Sequence, residues 1–266
     1  MTLVDAVGRE HTRVAPARDG VRIVSLVPSI TELLFDLGLA PWIVGRTGFC
    51  VHPKDAVSAV PKVGGTKDVN IGKIRKLAPT HLVVNIDENE KPTVEALAEF
   101  VPHVIVTHPL APRDNLPLYR LLGAVFGAEE RAEALCARFE EEYAALRAAA
   151  RNGRARRVLY CIWQDPWMTV SRDTYIARML AEVRWEQAVV ADPRRYPSFA
   201  WSERLLADVD EVLLSSEPYR FTEAHADALE RQIGKPVQLL DGEMVSWYGS
   251  RAILGLRYMR ELISRG

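Results

Sequence analysis

The chain has 266 residues, 34 Lys and Arg against 35 Asp and Glu, and 48% hydrophobic content, which excludes a disordered or fibrous protein and leaves room for one large domain or two medium ones. A net charge of −1 supplies no field for a polyanion and argues against nucleic acid or anionic membrane as the main partner. No apolar run reaches the roughly 18 residues of a bilayer span, so a membrane-spanning protein is not expected.

In chain order, residues 1–20 read as a polar leader with Asp5, Arg9, Glu10, Arg13, Arg18 and Asp19 and no apolar core of signal length. As written, this predicts a cytoplasmic protein; a misassigned start would make it periplasmic. Val21 to Val27 is a β-branched run ending at Pro28, and Ser29-Ile30-Thr31-Glu32 has the spacing of a capping box opening a helix through Leu39. Strands are expected at Trp42 to Gly45, Leu82 to Ile86 and Val104 to Thr107, and helices at Ile71 to Leu77 and Thr93 to Phe100. From Glu129 to about Arg151 the composition turns to Ala, Glu, Arg and Leu without Gly or Pro, and Leu135, Phe139, Tyr143 and Leu146 share a stripe. That predicts one helix of roughly 34 Å at 1.5 Å per residue. Asn152-Gly153 ends it, and Arg154, Arg156 and Arg157 read as a solvated helix end. The pattern restarts with strands at Arg157 to Trp163, Glu211 to Leu214 and Pro236 to Leu240 and a helix at Thr174 to Val183.

Strands alternating with helices imply mainly parallel sheets with helices on both faces. The stretch from Leu77 to Val84 lines up with Leu206 to Leu213, 129 residues later, so two similar lobes are expected with the long helix between them. Ligands of open α/β sheets bind beyond the carboxyl ends of the strands, which predicts a ligand cleft between the lobes. Cys50, Cys136 and Cys161 are widely spaced with no C-x-x-C, so reduced thiols are expected rather than a disulfide framework or structural zinc site.

The stretch from Val21 to Leu39, with Pro28-Ser29 and Thr31-Glu32-Leu33-Leu34-Phe35, then Val63-Gly64-Gly65, then Asn70-Ile71 through Val84, resembles the class III periplasmic binding proteins. These are helical-backbone metal receptors that serve ABC importers of cobalamin, iron siderophores and haem. The resemblance covers about Val21 to Leu262. It implies an α/β fold of two Rossmann-like lobes with mainly parallel sheets joined by one long rigid helix: residues 21–128, a backbone helix at 129–152, and 153–266. It also implies a substrate-binding protein without catalytic residues or an intrinsic cofactor, partnering an ABC permease and taking a metal chelate: a corrinoid (cobalamin) first, since the chain looks most like a cobalamin-binding branch, and otherwise an iron chelate. Glu90 and Glu223 stand roughly where relatives dock on permease arginines. A cytosolic enzyme or metal-cofactor chaperone using the same cleft is the alternative, although no G-x-S-x-G or H-E-x-x-H is present.

Candidate ligand residues lie after the expected strands. In Phe49-Cys50-Val51-His52 an extended backbone would point Cys50 and His52 the same way. They read either as metal ligands, with His52 axial on a chelated cobalt or iron, or as a buried thiol and a hydrogen-bonded imidazole. Gly65, in Gly64-Gly65-Thr66-Lys67, reads as a tight turn lining the cleft and fits no nucleotide-loop spacing. Asp87 and Asn89 follow one strand of the repeat and Glu217 follows its counterpart. Trp163, Trp167, Trp201 and Trp247 cluster at expected loops of the second half, as flat indoles suited to a macrocycle, with Tyr175, Tyr248 and Glu243 as further candidates.

Overall fold

The computed structural model describes residues 3–15 and 20–264. Leader residues Arg18 and Asp19 lie outside the described residues. The chain folds into two compact units: Met1–Pro109, Asp114–Arg138 and Tyr248–Ser250 make the first, and Leu110–Arg113, Phe139–Trp247 and Arg251–Gly266 the second.

Unit 1 opens with β1 (Leu3–Val4) and β2 (Glu10–His11), an antiparallel pair. Then come β3 (Ile23–Ser25), α1 (Pro28–Asp36), β4 (Ile43–Arg46), α2 (Lys54–Val57), α3 (Ile71–Lys76), β5 (His81–Asn85), α4 (Lys91–Ala98), β6 (His103–Thr107) and α5 (Asn115–Phe126). The sheet order is β4-β3-β5-β6 and every pair is parallel. Parallel neighbours require crossovers, which the helices supply, and both faces of the sheet are therefore covered. Accordingly all five residues of β5 are buried. The core gathers Val24, Leu26, Val63, Ile74, Leu82, Val84, Leu97 and Val104.

One local expectation is corrected. The capping box at Ser29 does not form: Pro28 starts α1, Val27 is its N-cap without a side-chain bond, and the Ser29 hydroxyl is buried and unbonded within the first turn. A ring with φ preset for the helix and no N–H to satisfy starts the helix earlier than the Ser cap would. The leader is tied into unit 1. Asp5, only 7% exposed, accepts from the backbone N–H groups of Val7, Arg9 and Val106, and His11 Nε2 lies 3.1 Å from its Oδ2. With Ala6 N–H donating to the Val106 carbonyl, this arm covers the free edge of β6.

The long helix α6 (Glu129–Ala150) buries Leu135, Phe139 and Leu146 of the expected stripe. Unit 2 then contains β7 (Arg156–Trp163), β8 (Met168–Thr169), α7 (Tyr175–Ala181), β9 (Trp185–Gln187), α8 (Glu203–Ala207), β10 (Glu211–Ser215), α9 (Glu223–Ile233), β11 (Val237–Leu240), α10 (Gly242–Ser246) and α11 (Arg251–Ser264). β11, β10 and β7 are parallel neighbours, and the other edge of β7 pairs with β9 in parallel and β8 antiparallel. Of the basic residues after α6, Arg156 pairs with Glu211 at 2.7 Å and Arg157 with Asp208 at 2.5 Å, while Arg154 is exposed. In each unit the parallel strands end on one edge, after Ser25, Arg46, Asn85 and Thr107 in unit 1 and after Trp163, Ser215 and Leu240 in unit 2.

Candidate functional site

At the carboxyl edge of unit 1 the loop after β4 is organised by Arg46, which is 4% exposed. Its Nε donates to the Val57 carbonyl and its Nη1 to the carbonyls of Thr47 and Cys50, at 3.1 to 3.2 Å. Cys50 is turned inward, 1% exposed, with its Sγ 3.1 Å from Thr31 Oγ1 and 3.2 Å from Thr47 Oγ1. Burial pushes its thiol up, against those two hydroxyls and the Arg46 charge. The loop is a turn rather than an extended segment, and a thiol in that position is a buried packing group. His52 is half-buried, and among the described residues no three His, Cys, Asp or Glu side chains come together as a metal site. Phe49 is 62% exposed. Gly65 sits so close to the Asp68 carboxylate and the Phe49 ring that a Cβ there would meet both.

Asn89, 8% exposed, ties three loops together: its Nδ2 donates to the carbonyls of Leu26 (3.2 Å) and Thr66 (3.0 Å), and its Oδ1 accepts from Asn85 N–H (2.9 Å). Asp87 lies 3.5 Å from His108 Nε2, and the Tyr248 hydroxyl donates to Glu88. Segment 248–250 is anchored in this unit by Tyr119, whose hydroxyl donates to the Gly249 carbonyl at 2.7 Å, and by Asn115, which accepts from Gly249 N–H at 2.6 Å. Glu90 is exposed at the N-cap of α4.

In unit 2, three of the four expected tryptophans belong to one chain of ring contacts. Trp163, 40% exposed at the end of β7, meets Tyr219 edge-on at 5.4 Å; Tyr219 touches Phe221, which stacks on Trp167 at 5.7 Å; Trp167 meets Trp201 at 5.2 Å. Trp167 and Trp201 pack against the core formed by Leu159, Val212 and Leu214, so Trp163 is the ring of this chain that is presented at the edge. Tyr175 is buried as the first residue of α7. Trp247, 8% exposed, belongs to a separate group: its Nε1 donates to Glu217 Oε1 at 2.6 Å, as does the Ser246 hydroxyl at 2.9 Å, and the Arg251 guanidinium lies 5.2 Å over its ring. Glu243 is 3.2 Å from Arg251. Burial pushes the Glu217 carboxyl above its usual range; the two donors oppose this, and Glu243 and Asp241 add to it. Glu223, exposed, opens α9. A separate depression of about 610 Å³ between the 189–191 segment and α8, lined by Val190, Phe199, Arg204 and Leu205, contains none of the expected site residues.

Glu88, His108, Ser246 and Arg251 join these groups without having been expected. Their partners lie 21 to 160 positions away or on the next helix, and no local spacing marks them. The internal repeat was the available signal, because it makes β5 with its following loop the counterpart of β10 with its own, and each loop holds a carboxylate bonded to an aromatic donor.

A family model for periplasmic binding proteins matches residues 23–232. The vitamin B12-binding protein of Pectobacterium carotovorum is 22% identical, over 88% of this chain and 84% of its own. An uncharacterized ABC transporter substrate-binding lipoprotein of Bacillus subtilis is 24% identical, over 99% of this chain and 85% of its own. The solved apo structure of a periplasmic haem-binding protein from Roseiflexus sp. RS-1 superposes with a TM-score of 0.77 at 23% identity, covering 92% of this chain and 98% of that one. With the family pattern running from β3 of unit 1 through α9 of unit 2, the chain belongs to the periplasmic binding proteins, which are substrate-binding proteins of transport and not enzymes.

Proposed function

We propose that this protein captures a metal chelate, specifically a corrinoid, for an ABC-type importer. The observation that carries the reading is the same in both units: an exposed aromatic ring at the carboxyl edge, Phe49 or Trp163, accompanied by loops that hold carboxylates in place through aromatic hydroxyl or indole donors. A corrinoid presents a flat macrocycle to such rings and carboxamides to such acceptors. The vitamin B12-binding relative supports the ligand and the substrate-binding lipoprotein supports the partner. Glu90 and Glu223 are proposed permease contacts, since both are exposed and stand at the start of the helix that follows β5 or β10.

The test is an absorbance and calorimetric titration with cobalamin, cobinamide and haemin. Saturable one-to-one binding of a corrinoid in preference to haemin is the expected outcome. Preference for haemin, or no binding, refutes the corrinoid assignment. Among the described residues no helix is long and apolar enough to cross a membrane, and fractionation of the native host distinguishes the cytoplasmic from the periplasmic expectation.

A further inference from the structure

Glu217 is held with unusual completeness on one side and left open on the other. Its backbone is fixed by Ser215, whose Oγ donates to the Glu217 carbonyl at 2.5 Å and itself accepts from the Tyr160 hydroxyl at 2.9 Å. The start of α10 presses on it: a Cβ at Gly242 would come within 2.5 Å of Glu217 Cγ and 2.9 Å of its backbone nitrogen, so only glycine lets the two segments approach. The carboxylate oxygen Oε1 receives both the Trp247 indole N–H and the Ser246 hydroxyl. Oε2 carries no hydrogen bond among the described residues, yet it is not cut off from solvent. Among the described residues no cation is bonded to Glu217; the neighbouring Arg251 pairs with Glu243.

A half-buried carboxylate served by two neutral donors on one oxygen is an unfilled acceptor on the other, and it rejects a group that can only accept. We propose that Glu217 Oε2 reads a hydrogen-bond donor on the ligand, an amide N–H or hydroxyl, while its Oε1 positions Trp247. This rests on the corrinoid reading and narrows it to a corrinoid with free peripheral carboxamides.

The probes are dicyanocobinamide, which bears carboxamides, and dicyanocobyrinic acid heptamethyl ester, in which the ring periphery can only accept. The wild-type protein is expected to prefer the amide compound at least tenfold. Glu217→Gln presents an N–H at the Oε2 position while its carbonyl oxygen still accepts from Trp247 and Ser246. It is expected to bring the preference below about threefold and to leave the near-UV circular dichroism of the tryptophans unchanged. Trp247→Phe, which removes the indole donor, is expected to weaken both compounds about equally. Equal binding of the two compounds by the wild type, or an undiminished preference in Glu217→Gln, overturns the inference while leaving the corrinoid reading intact. Failure of both compounds to bind overturns that reading and the inference with it.

Discussion

Acidification is expected to destabilise unit 1 through His81. This side chain, 6% exposed at the start of β5, stacks on His103 at 4.7 Å, meets the edge of Phe126 at 5.1 Å and shares a 2.8 Å hydrogen bond between its Nδ1 and Thr80 Oγ1. Burial, reinforced by the charges that His103 and His11 can carry, lowers its pKa from 6.5 to about 4. In the unfolded chain His81 takes up its proton near pH 6.5, and in the folded chain only near pH 4, so between these values the unfolded state binds more protons. The advantage of the neutral, buried imidazole is complete above the unfolded pKa and is lost progressively as the pH falls toward 4. At about 1.4 kcal/mol per pH unit, the whole window is worth about 3 kcal/mol. The assay is native-state hydrogen exchange of β5 and β6 from pH 7 to pH 4, with correction for intrinsic exchange, on the wild type and on His81→Phe. The phenyl ring fills the same stacked position and does not titrate. The stability difference between the two proteins should change by about 3 kcal/mol across the window, in favour of the variant at low pH. Parallel profiles, separated by a constant amount at every pH, would refute the assignment of acid sensitivity to His81.

Asp5→Ala removes the common acceptor of three backbone N–H groups and of His11, and leaves Val106 N–H unpaired at the sheet edge. A loss of about 2–3 kcal/mol is expected, seen as a lower melting temperature and faster exchange at Val106; unchanged exchange there would separate the arm from the stability of the edge. Cys50, Cys136 and Cys161 are all buried, so native protein should react with a thiol reagent only as fast as it opens. Arg46→Met should expose Cys50 selectively, because three carbonyls of the covering loop lose their shared donor. Rapid labelling of Cys50 in the native wild type would refute its inward placement.

Much of the architecture was legible locally. The apolar runs before Pro28, through Leu82-Val83-Val84 and through Val158-Leu159-Tyr160 became β3, β5 and β7, since strand preference and burial on both faces act over a few neighbouring residues. The Gly- and Pro-free stretch after Glu129 became α6 because helix preference is equally local, and the offset repeat identified two equivalent strand-to-loop edges. Periodicity and the internal repeat were sufficient to indicate a two-unit α/β chain, and the binding role came from the resemblance to the class III periplasmic binding proteins. They were insufficient where a side chain's role depends on a distant partner. Nothing in the polar leader marks the bond that Asp5 makes with Val106, 101 positions later; Ser29 reads as a cap until Pro28 starts the helix. Trp167 and Trp201 have the same local signature as Trp163, but they pack on the core while Trp163 stands at the edge. Glu88 with Tyr248 and Glu217 with Trp247 are paired only because the fold returns segments 160 and 30 positions apart to one site. Helix and strand periodicity are properties of neighbouring residues, whereas hydrogen-bond satisfaction in a buried edge is a property of the closed fold, and only the tertiary structure decides it.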